Sequence, residues 1–143
     1  MYLESDNLDK IIYLAEQFAN STKAGEGFDE HIFKTNWKIL IDSGMGVIIC
    51  AENGNQIIGI LGIIKFQDPN NGGWISQELF WYVAPQYRGI GMELLEEAER
   101  WSKNNNCGKI IMAYLIDSMP EKVKGIYETH GYDIMEINYY KEL

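Results

Sequence analysis

Apolar residues recur at helical spacing in the first third of the chain. Two amphipathic helices are predicted, the first beginning near the capping residue Asp6 or Asn7 and the second ending at Ser43-Gly44. The segment between them, "NSTKAGEGFDE", is rich in glycine and small polar residues and predicts a loop. The apolar positions are Leu8, Ile11, Ile12, Ala15, Phe18 and Ala19 in the first helix and Ile32, Phe33, Trp37, Leu40 and Ile41 in the second.

Strand-like runs replace the helical pattern after Gly46. The apolar, β-branched runs "GVIICAE" and "QIIGILGIIKF" are joined by "NGN", which is typical of a tight hairpin turn. The segment "QDPNNGG" predicts a second turn, and "WISQELFWYV" predicts a third strand. We therefore expect three sequential strands in an antiparallel meander.

The rest of the chain alternates helices and strands. Leu94, Leu95, Ala98 and Trp101 mark a helix, and "KIIMAYLI" predicts a buried strand. A capping box, Ser118-x-x-Glu121, opens the next helix, which Gly131 ends, and "YDIMEINYYKEL" predicts a last strand. The order ααβββαβαβ predicts one α+β domain over residues 1–143, with a mixed, mostly antiparallel sheet flanked by helices. The face of the last helix carries Val123, Ile126, Tyr127 and His130.

A glycine-rich turn, Gln86-x-x-Gly89-x-Gly91, follows the third strand and opens a helix. Glycines let a ligand approach the backbone closely, and a helix N-terminus offers unpaired N–H groups with partial positive charge. Arg88 adds a full positive charge, so the turn predicts a phosphate or pyrophosphate site. The spacing fits neither a P-loop nor a dinucleotide fingerprint, and a purely structural glycine turn is the alternative.

With these features the sequence resembles the GNAT-type N-acetyltransferase superfamily. The family motif [R/Q]-x-x-G-x-[G/A] is matched by "QYRGIG", residues 86–91, and the motif Tyr-x-x-x-Gly-aromatic by "YETHGY", residues 127–132. The resemblance covers residues 46–140. The chain departs from the family in having fewer residues between the third strand and Gly89. This difference would let Arg88, in place of Gln86, align with the first position of the motif. It also departs in Pro120, where the family often carries Asn, and in a first strand reduced to "MYLE".

The resemblance implies that acetyl-CoA lies in a V-shaped opening between the third strand and "KIIMAYLI". Backbone groups near Trp81, Tyr82 and Val83 would pair with the pantetheine arm. The acetyl group would pass directly to a primary amine of a small molecule or peptide. A non-catalytic acyl-CoA-binding module with a regulatory or interaction role is the alternative function. The implied pyrophosphate site consists of the N–H groups of Arg88, Gly89, Ile90, Gly91 and Met92.

Acetyl transfer to an amine needs a base for the amine proton and benefits from an acid for the departing thiolate. Tyr127 is the predicted acid, and simple packing of its ring is the alternative. Glu78 is the predicted base, on a face shared with Phe80 and Tyr82, and hydrophobic neighbours would raise its pKa toward neutrality. A solvated strand glutamate is the alternative. The two histidines, His31 and His130, are predicted to be surface or capping residues.

The composition of the chain limits the classes of partner and the cellular location that we expect. The net charge of −9, from 12 Lys+Arg and 21 Asp+Glu, disfavours a nucleic-acid partner, and no apolar run is long enough for a membrane span. The N-terminus lacks secretory-signal features, so a cytoplasmic protein is predicted. Cys50 and Cys107 lack metal-type spacing, so we expect reduced thiols and no metal site. The acidic residues Glu26, Asp29 and Glu30 indicate that the acceptor amine includes cationic molecules, and an exposed sheet edge is compatible with a homodimer.

Overall fold

A four-stranded sheet organises the part of the chain that the computed structural model describes, residues 1–115 and 120–143. The strand order is β1-β2-β3-β4, and the first three strands form the predicted antiparallel meander, while β4 runs parallel to β3. The fold class is thus confirmed as a mixed-sheet α+β architecture. The strands are β1 (Gly46–Asn53), β2 (Gln56–Gln67), β3 (Trp74–Val83) and β4 (Cys107–Ile111).

The helices follow the predicted order, but the first begins differently. Asp6 and Asn7 lie inside a 3-10 helix, Ser5–Ile11, so the capping role predicted for them is wrong. Asp6 instead contacts Lys38 Nζ at 3.0 Å. Within the described ranges, no helix has the length and apolar character needed to cross a bilayer. The helices are α1 (Ile12–Ser21), α2 (Glu30–Asp42), α3 (Gly91–Asn104) and α4 (Pro120–Thr129).

The sheet separates two apolar layers. On one face, helices α1 and α2 pack on the sheet, and the Trp37 ring lies 5.3 Å from the Phe80 ring. On the other face, α3 packs on the sheet, where Leu94 lies in one cluster with Ile63 and Val83. Each strand therefore sends alternate side chains into different cores, as the two-fold period of a strand requires. The sheet is covered on both faces, so a ligand can reach β3 only where its edge is open.

The predicted last strand is not formed. Residues 132–143 have no regular secondary structure, although α4 ends just before Gly131 (φ 80°), as predicted. Alternation shows that a segment can be a strand, but a strand also needs a neighbour for its backbone hydrogen bonds. The strand predicted for "KIIMAYLI" is confirmed only to Ile111, since 112–115 are irregular. Residue 116 and Ser118 of the predicted capping box lie outside the described residues.

Candidate active site

Among the described residues, the second half of β3 has no strand paired with it on the β4 side. Pairing between β3 and β4 runs from Trp74↔Cys107 to Gln77↔Ile111, and β3 then continues to Val83. The chain after β4 leaves the sheet, since residues 112–115 belong to no strand. Two parallel strands that separate in this way leave a wedge between them, which is where the V-shaped opening was expected.

A β-bulge interrupts β3 beside this opening. Gly62 is paired with Phe80 and Ile63 with Glu78, so Leu79 is an extra residue. Directly paired residues lie on the same face of a sheet, which puts Glu78 on the α3 face with Ile63. The prediction that Glu78 shares a face with Phe80 is therefore wrong, because the bulge shifts the alternation. The run of consecutive apolar residues at 79–84 breaks the alternating pattern and was the available signal in the sequence.

Glu78 is nearly enclosed, with 6% of its surface exposed. Burial raises the pKa of its carboxyl to about 8, because the ionised form loses its hydration, while a hydrogen bond from the Ala113 backbone acts in the opposite direction. The carboxyl is therefore mostly protonated at neutral pH and becomes a carboxylate as the pH rises past about 8. Such a group can accept a proton when it is ionised.

Tyr127 meets Glu78 at the same backbone residue. Its hydroxyl donates to the Ala113 carbonyl oxygen at 2.7 Å, and its ring lies 6.4 Å from that of Trp81. Burial raises the Tyr127 pKa, and the negative charge of Glu78 raises it further, so the phenol keeps its proton at physiological pH. The structure thus brings together Glu78 and Tyr127, which are 49 positions apart in the sequence. Sequence reasoning could not identify Ala113, because a backbone group leaves no signal in the residue type.

A second tyrosine supports the first. The Tyr132 ring lies 5.2 Å from the Tyr127 ring, and the Tyr132 hydroxyl donates to Glu99 Oε1 at 2.8 Å. This bond joins the end of α4 to α3. Tyr132 belongs to the aromatic position of the second motif, so the motif marks a packing role that the sequence pattern alone did not explain.

The glycine turn is a 3-10 helix, Pro85–Ile90, that runs into α3. A Cβ at Gly89 would meet no atom within 4 Å, whereas one at Gly91 would lie 3.4 Å from the Trp81 ring. A Cβ at Gly91 would thus be in ordinary van der Waals contact with Trp81, and Gly89 leaves the surface open. In the described part of the chain, no side chain caps the N-terminus of α3. The start of α3 therefore has no side chain that competes with an anion, and the open surface at Gly89 lets one approach.

Arg88 is held at the end of β3. Its Nε donates to the Val83 carbonyl at 3.1 Å, and its guanidinium carbon lies 5.4 Å from the centre of the Tyr82 ring. The charge is therefore fixed beside the turn rather than extended into solvent. Gln86 instead lines a cavity of about 420 Å³ beside α1. Of the other two predicted phosphate contacts, Ile90 packs partly against the α3-side core and Met92 is half-buried.

The backbone groups at the end of β3 do not all point toward the opening. The N–H of Ala84 donates to Ile58 on β2 at 2.8 Å. Since backbone groups alternate between the two edges of a strand, Val83 and Trp81 point theirs toward the opening and Tyr82 points its own toward β2. Of the residues near which a ligand was predicted to pair, Trp81 and Val83 are therefore the ones whose backbone groups face the opening. Tyr82 contributes its ring beneath Arg88 instead.

The acidic residues of the first loop have different roles. Asp29 caps α2, since its Oδ1 accepts from the N–H of Ile32 at 2.9 Å. Glu26 and Glu16 line a cavity of about 730 Å³ between α1 and the loop. His130 caps the end of α4, with its Nδ1 2.8 Å from the Ile126 carbonyl oxygen, and His31 is exposed. The acidic residues that line this cavity are therefore Glu26, from the loop, and Glu16, from α1.

The chain is similar to known proteins in sequence pattern and in fold. The sequence model of the acetyltransferase (GNAT) family matches residues 9–132. The fold is similar to that of a ribosomal-protein-alanine N-acetyltransferase from Brucella melitensis biovar Abortus 2308, with a TM-score of 0.75, 14% identity, and coverage of 100% of this chain and 98% of that one. An aminoglycoside acetyltransferase from an uncultured soil metagenomic sample has a TM-score of 0.80 and 14% identity, with 100% and 96% coverage.

A third similar structure is a predicted acetyltransferase from Clostridium acetobutylicum, determined with acetyl-CoA. Its TM-score is 0.78 at 18% identity, over 100% of this chain and 93% of that one. None of the curated protein sequences matches the chain. At these identities the structural likeness concerns the fold, and the family match rests on the sequence model.

Proposed function

The chain belongs to the GNAT family of acetyltransferases, and from that premise we propose that it transfers an acetyl group from acetyl-CoA directly to a primary amine. The observation that carries this proposal is the meeting of Glu78 and Tyr127 at Ala113, beside the open edge of β3. One group there accepts a proton and the other retains one. Direct transfer of an acyl group to an amine needs a base for the amine proton and is favoured by an acid beside the departing thiolate.

Different residues of the chain would bind different parts of acetyl-CoA. Acetyl-CoA supplies the reactive thioester, and the N-terminus of α3 with Arg88 would hold its diphosphate. Trp81 and Val83 would offer backbone groups to the pantetheine arm. The bulge at Leu79 frees backbone groups from the β2 ladder, which supports a hydrogen bond to the carbonyl oxygen of the acetyl group, where negative charge develops during the reaction.

Proton transfer would run through the two buried side chains. Glu78, once ionised, takes a proton from the amine, either directly or through one water molecule. Tyr127 donates its proton toward the departing sulfur and exchanges its hydrogen bond to Ala113 for that contact. Both groups lie in a largely dehydrated site, where such hydrogen bonds are stronger than in water.

Coenzyme A binding gives a direct test of the diphosphate site. Coenzyme A at about 100 times its Kd should stabilise the protein by about 2.7 kcal/mol. Gly89→Leu should abolish that stabilisation without unfolding the chain, because the added side chain enters open space where the diphosphate would lie. The measurement is thermal unfolding with and without coenzyme A.

The matched control for this test is Gly125→Leu, on the exposed side of α4, where a Cβ also meets no atom within 4 Å. That variant should keep the full ligand-dependent stabilisation. Equal stabilisation of wild type and Gly89→Leu by coenzyme A would contradict a diphosphate site at this turn.

For the acceptor, we propose an amine of a small molecule or peptide, including cationic ones, bound near the loop cavity. Glu16 and Glu26 supply negative charge there, and it exceeds the one positive charge that Lys23 contributes to the lining. The double variant Glu16→Gln/Glu26→Gln should raise KM for a linear polyamine about tenfold and leave kcat nearly unchanged, since it removes an attraction that precedes the chemistry. Steady-state kinetics with varied polyamine measures this, and Glu4→Gln is the control. An unchanged KM would exclude this cavity as the acceptor site.

We also propose that residues 1–143 form a single domain and that the protein is located in the cytoplasm. The two cysteines, Cys50 and Cys107, are free, and burial raises the Cys50 pKa to about 12. A thiol with so high a pKa is scarcely ionised and therefore unreactive, which suits a reducing compartment.

A further inference from the structure

Helix α4 presents one buried side chain to the rest of the fold. Among the residues of α4 whose burial the structure describes, 121–129, Tyr127 is the only one that is buried. Its hydroxyl donates to the carbonyl of Ala113, which lies in the irregular stretch 112–115. The acceptor of this hydrogen bond therefore belongs to no strand or helix. The place of the hydroxyl depends on the side chains that pack against the Tyr127 ring.

The two aromatic neighbours of Tyr127 are held in different ways. The centre of its ring lies 6.4 Å from that of Trp81 and 5.2 Å from that of Tyr132. Tyr132 follows the end of α4 and is bound to Glu99 of α3. Trp81 belongs to β3, a strand paired with β2 in the middle of the sheet. Trp81 is therefore the neighbour that fixes the Tyr127 ring relative to the sheet.

The Trp81 indole lies on the same face of the sheet as Glu78. Trp81 is paired with Leu61 and Glu78 with Ile63, and both partners belong to the α3-side core. The indole also lies beside the first residue of α3, since a Cβ at Gly91 would be 3.4 Å from the ring. It is therefore held by the sheet and by the start of α3, on the face that carries the candidate base.

We propose that Trp81 is a positioning residue for acetyl transfer, an inference that rests on the proposed role of Tyr127 as the acid. The indole holds the Tyr127 ring so that its hydroxyl stays beside Ala113, from where it turns to the departing sulfur. A tilted pair of aromatic rings has a preferred geometry, which a flexible aliphatic side chain does not impose. Exact placement matters, because a shift of about 1 Å in a reacting group can lower a rate about 10²-fold.

Trp81→Leu tests this role through the rate of acetylation. The variant should lower kcat about tenfold, while coenzyme A still stabilises the protein, because the backbone of residue 81 is unchanged. In the Trp81→Leu background, Tyr127→Phe should lower kcat by less than about tenfold, instead of about 10²-fold as in the wild-type background, since the hydroxyl is already displaced. Equal losses in the two backgrounds, or a wild-type rate for Trp81→Leu, would overturn the proposal.

Two further variants separate positioning from packing. Trp81→Phe keeps a ring against Tyr127 and should retain most of the wild-type rate. Trp101→Leu removes an indole from the same α3-side core. It should lower the thermal midpoint, yet Tyr127→Phe should still cost about 10²-fold in its background. If Trp81→Leu and Trp101→Leu behave alike in this comparison, Trp81 has a packing role only.

Titration of the Tyr127 hydroxyl gives a measurement that needs no turnover. Burial raises the pKa of Tyr127, and so do Glu78 on β3 and Tyr132 after α4. With isotope label at the tyrosine carbon that bears the hydroxyl, the wild-type Tyr127 signal should stay fixed while exposed tyrosines titrate near about pH 10. The signal is assigned by its absence from Tyr127→Phe. In Trp81→Leu it should titrate with the exposed tyrosines, because water reaches the displaced ring.

The titration also separates this proposal from the proposed function. If the wild type acetylates no amine but the Tyr127 signal behaves as expected in both proteins, acetyl transfer is rejected and the holding of Tyr127 by Trp81 stands. An unchanged Tyr127 titration in Trp81→Leu overturns that holding. Nuclear Overhauser contacts between the Trp81 and Tyr127 rings are expected in the wild type at neutral pH. Their absence would overturn the proposal without any variant.

Discussion

Replacement of Glu78 by glutamine should lower kcat for amine acetylation by about 10²–10⁴-fold, the usual contribution of a general base. Glutamine keeps the size and the hydrogen bonding of a protonated glutamic acid but cannot accept the amine proton. The measurement is release of free thiol from acetyl-CoA with an excess of amine, over a range of pH. Glu52→Gln, an exposed residue of β1, is the control and should not change the rate.

The raised pKa of Glu78 determines how the rate of the wild type and of the variant depends on pH. The Glu78 pKa is about 8, so the ionised fraction grows as the pH rises, and wild-type kcat should increase to about pH 8 and then level off. The deficit of Glu78→Gln should therefore be largest at and above that pH. A variant whose rate and pH profile match those of wild type would remove Glu78 from the mechanism and leave a water chain as the base.

The same variant has a consequence for stability that needs no substrate. Because the Glu78 pKa is raised from 4.5 to about 8 in the folded protein, folding binds a proton between these values, and wild-type stability falls as the pH rises through that window. Glu78→Gln removes this loss, which is on the order of a few kcal/mol. Its thermal midpoint should exceed that of wild type at about pH 9 and approach it at about pH 5. Parallel curves for the two proteins would contradict a buried carboxyl with a raised pKa.

Tyr127→Phe should lower kcat by about 10²-fold while coenzyme A still stabilises the protein as in wild type. The phenylalanine ring retains the contacts with Trp81 and Tyr132, so only the hydroxyl and its bond to Ala113 are lost. A lower rate with unchanged coenzyme A binding indicates that Tyr127 donates a proton, whereas a packing role predicts no loss of rate. Rates come from thiol release, and binding comes from the ligand-dependent thermal midpoint.

Tyr132→Phe is the matched control for Tyr127→Phe. It removes a hydroxyl from the adjacent ring, but that hydroxyl binds Glu99 rather than Ala113. A small change in kcat is expected. If both variants and wild type bind coenzyme A and none shows turnover with any amine, the non-catalytic acyl-CoA-binding module becomes the better description. If Tyr127→Phe keeps the wild-type rate, Tyr127 is a packing residue.

The sequence by itself determined the order of the four helices and of the first four strands, and most of their extents. The β3 segment, Trp74–Val83, coincides with the predicted run, because alternation and bounding turns act locally. The "NGN" hairpin and the Gly131 stop have the same origin, since glycine tolerates the positive φ that such positions require. The sequence also singled out Glu78 and Tyr127 as the candidate base and acid, through residue type and motif.

Only the tertiary structure decided what these residues face. The bulge at Leu79 moved Glu78 to the α3 side of the sheet, an effect that depends on pairing with β2 rather than on β3 alone. The contact of both candidate groups with Ala113 depends on where the chain leaves β4, and Arg88 binds a carbonyl at the end of β3. The last predicted strand lacked a neighbour among the described residues of the chain. Local periodicity fixes which residues can form an element, whereas partners far apart in the sequence decide which face, edge and neighbour each one has.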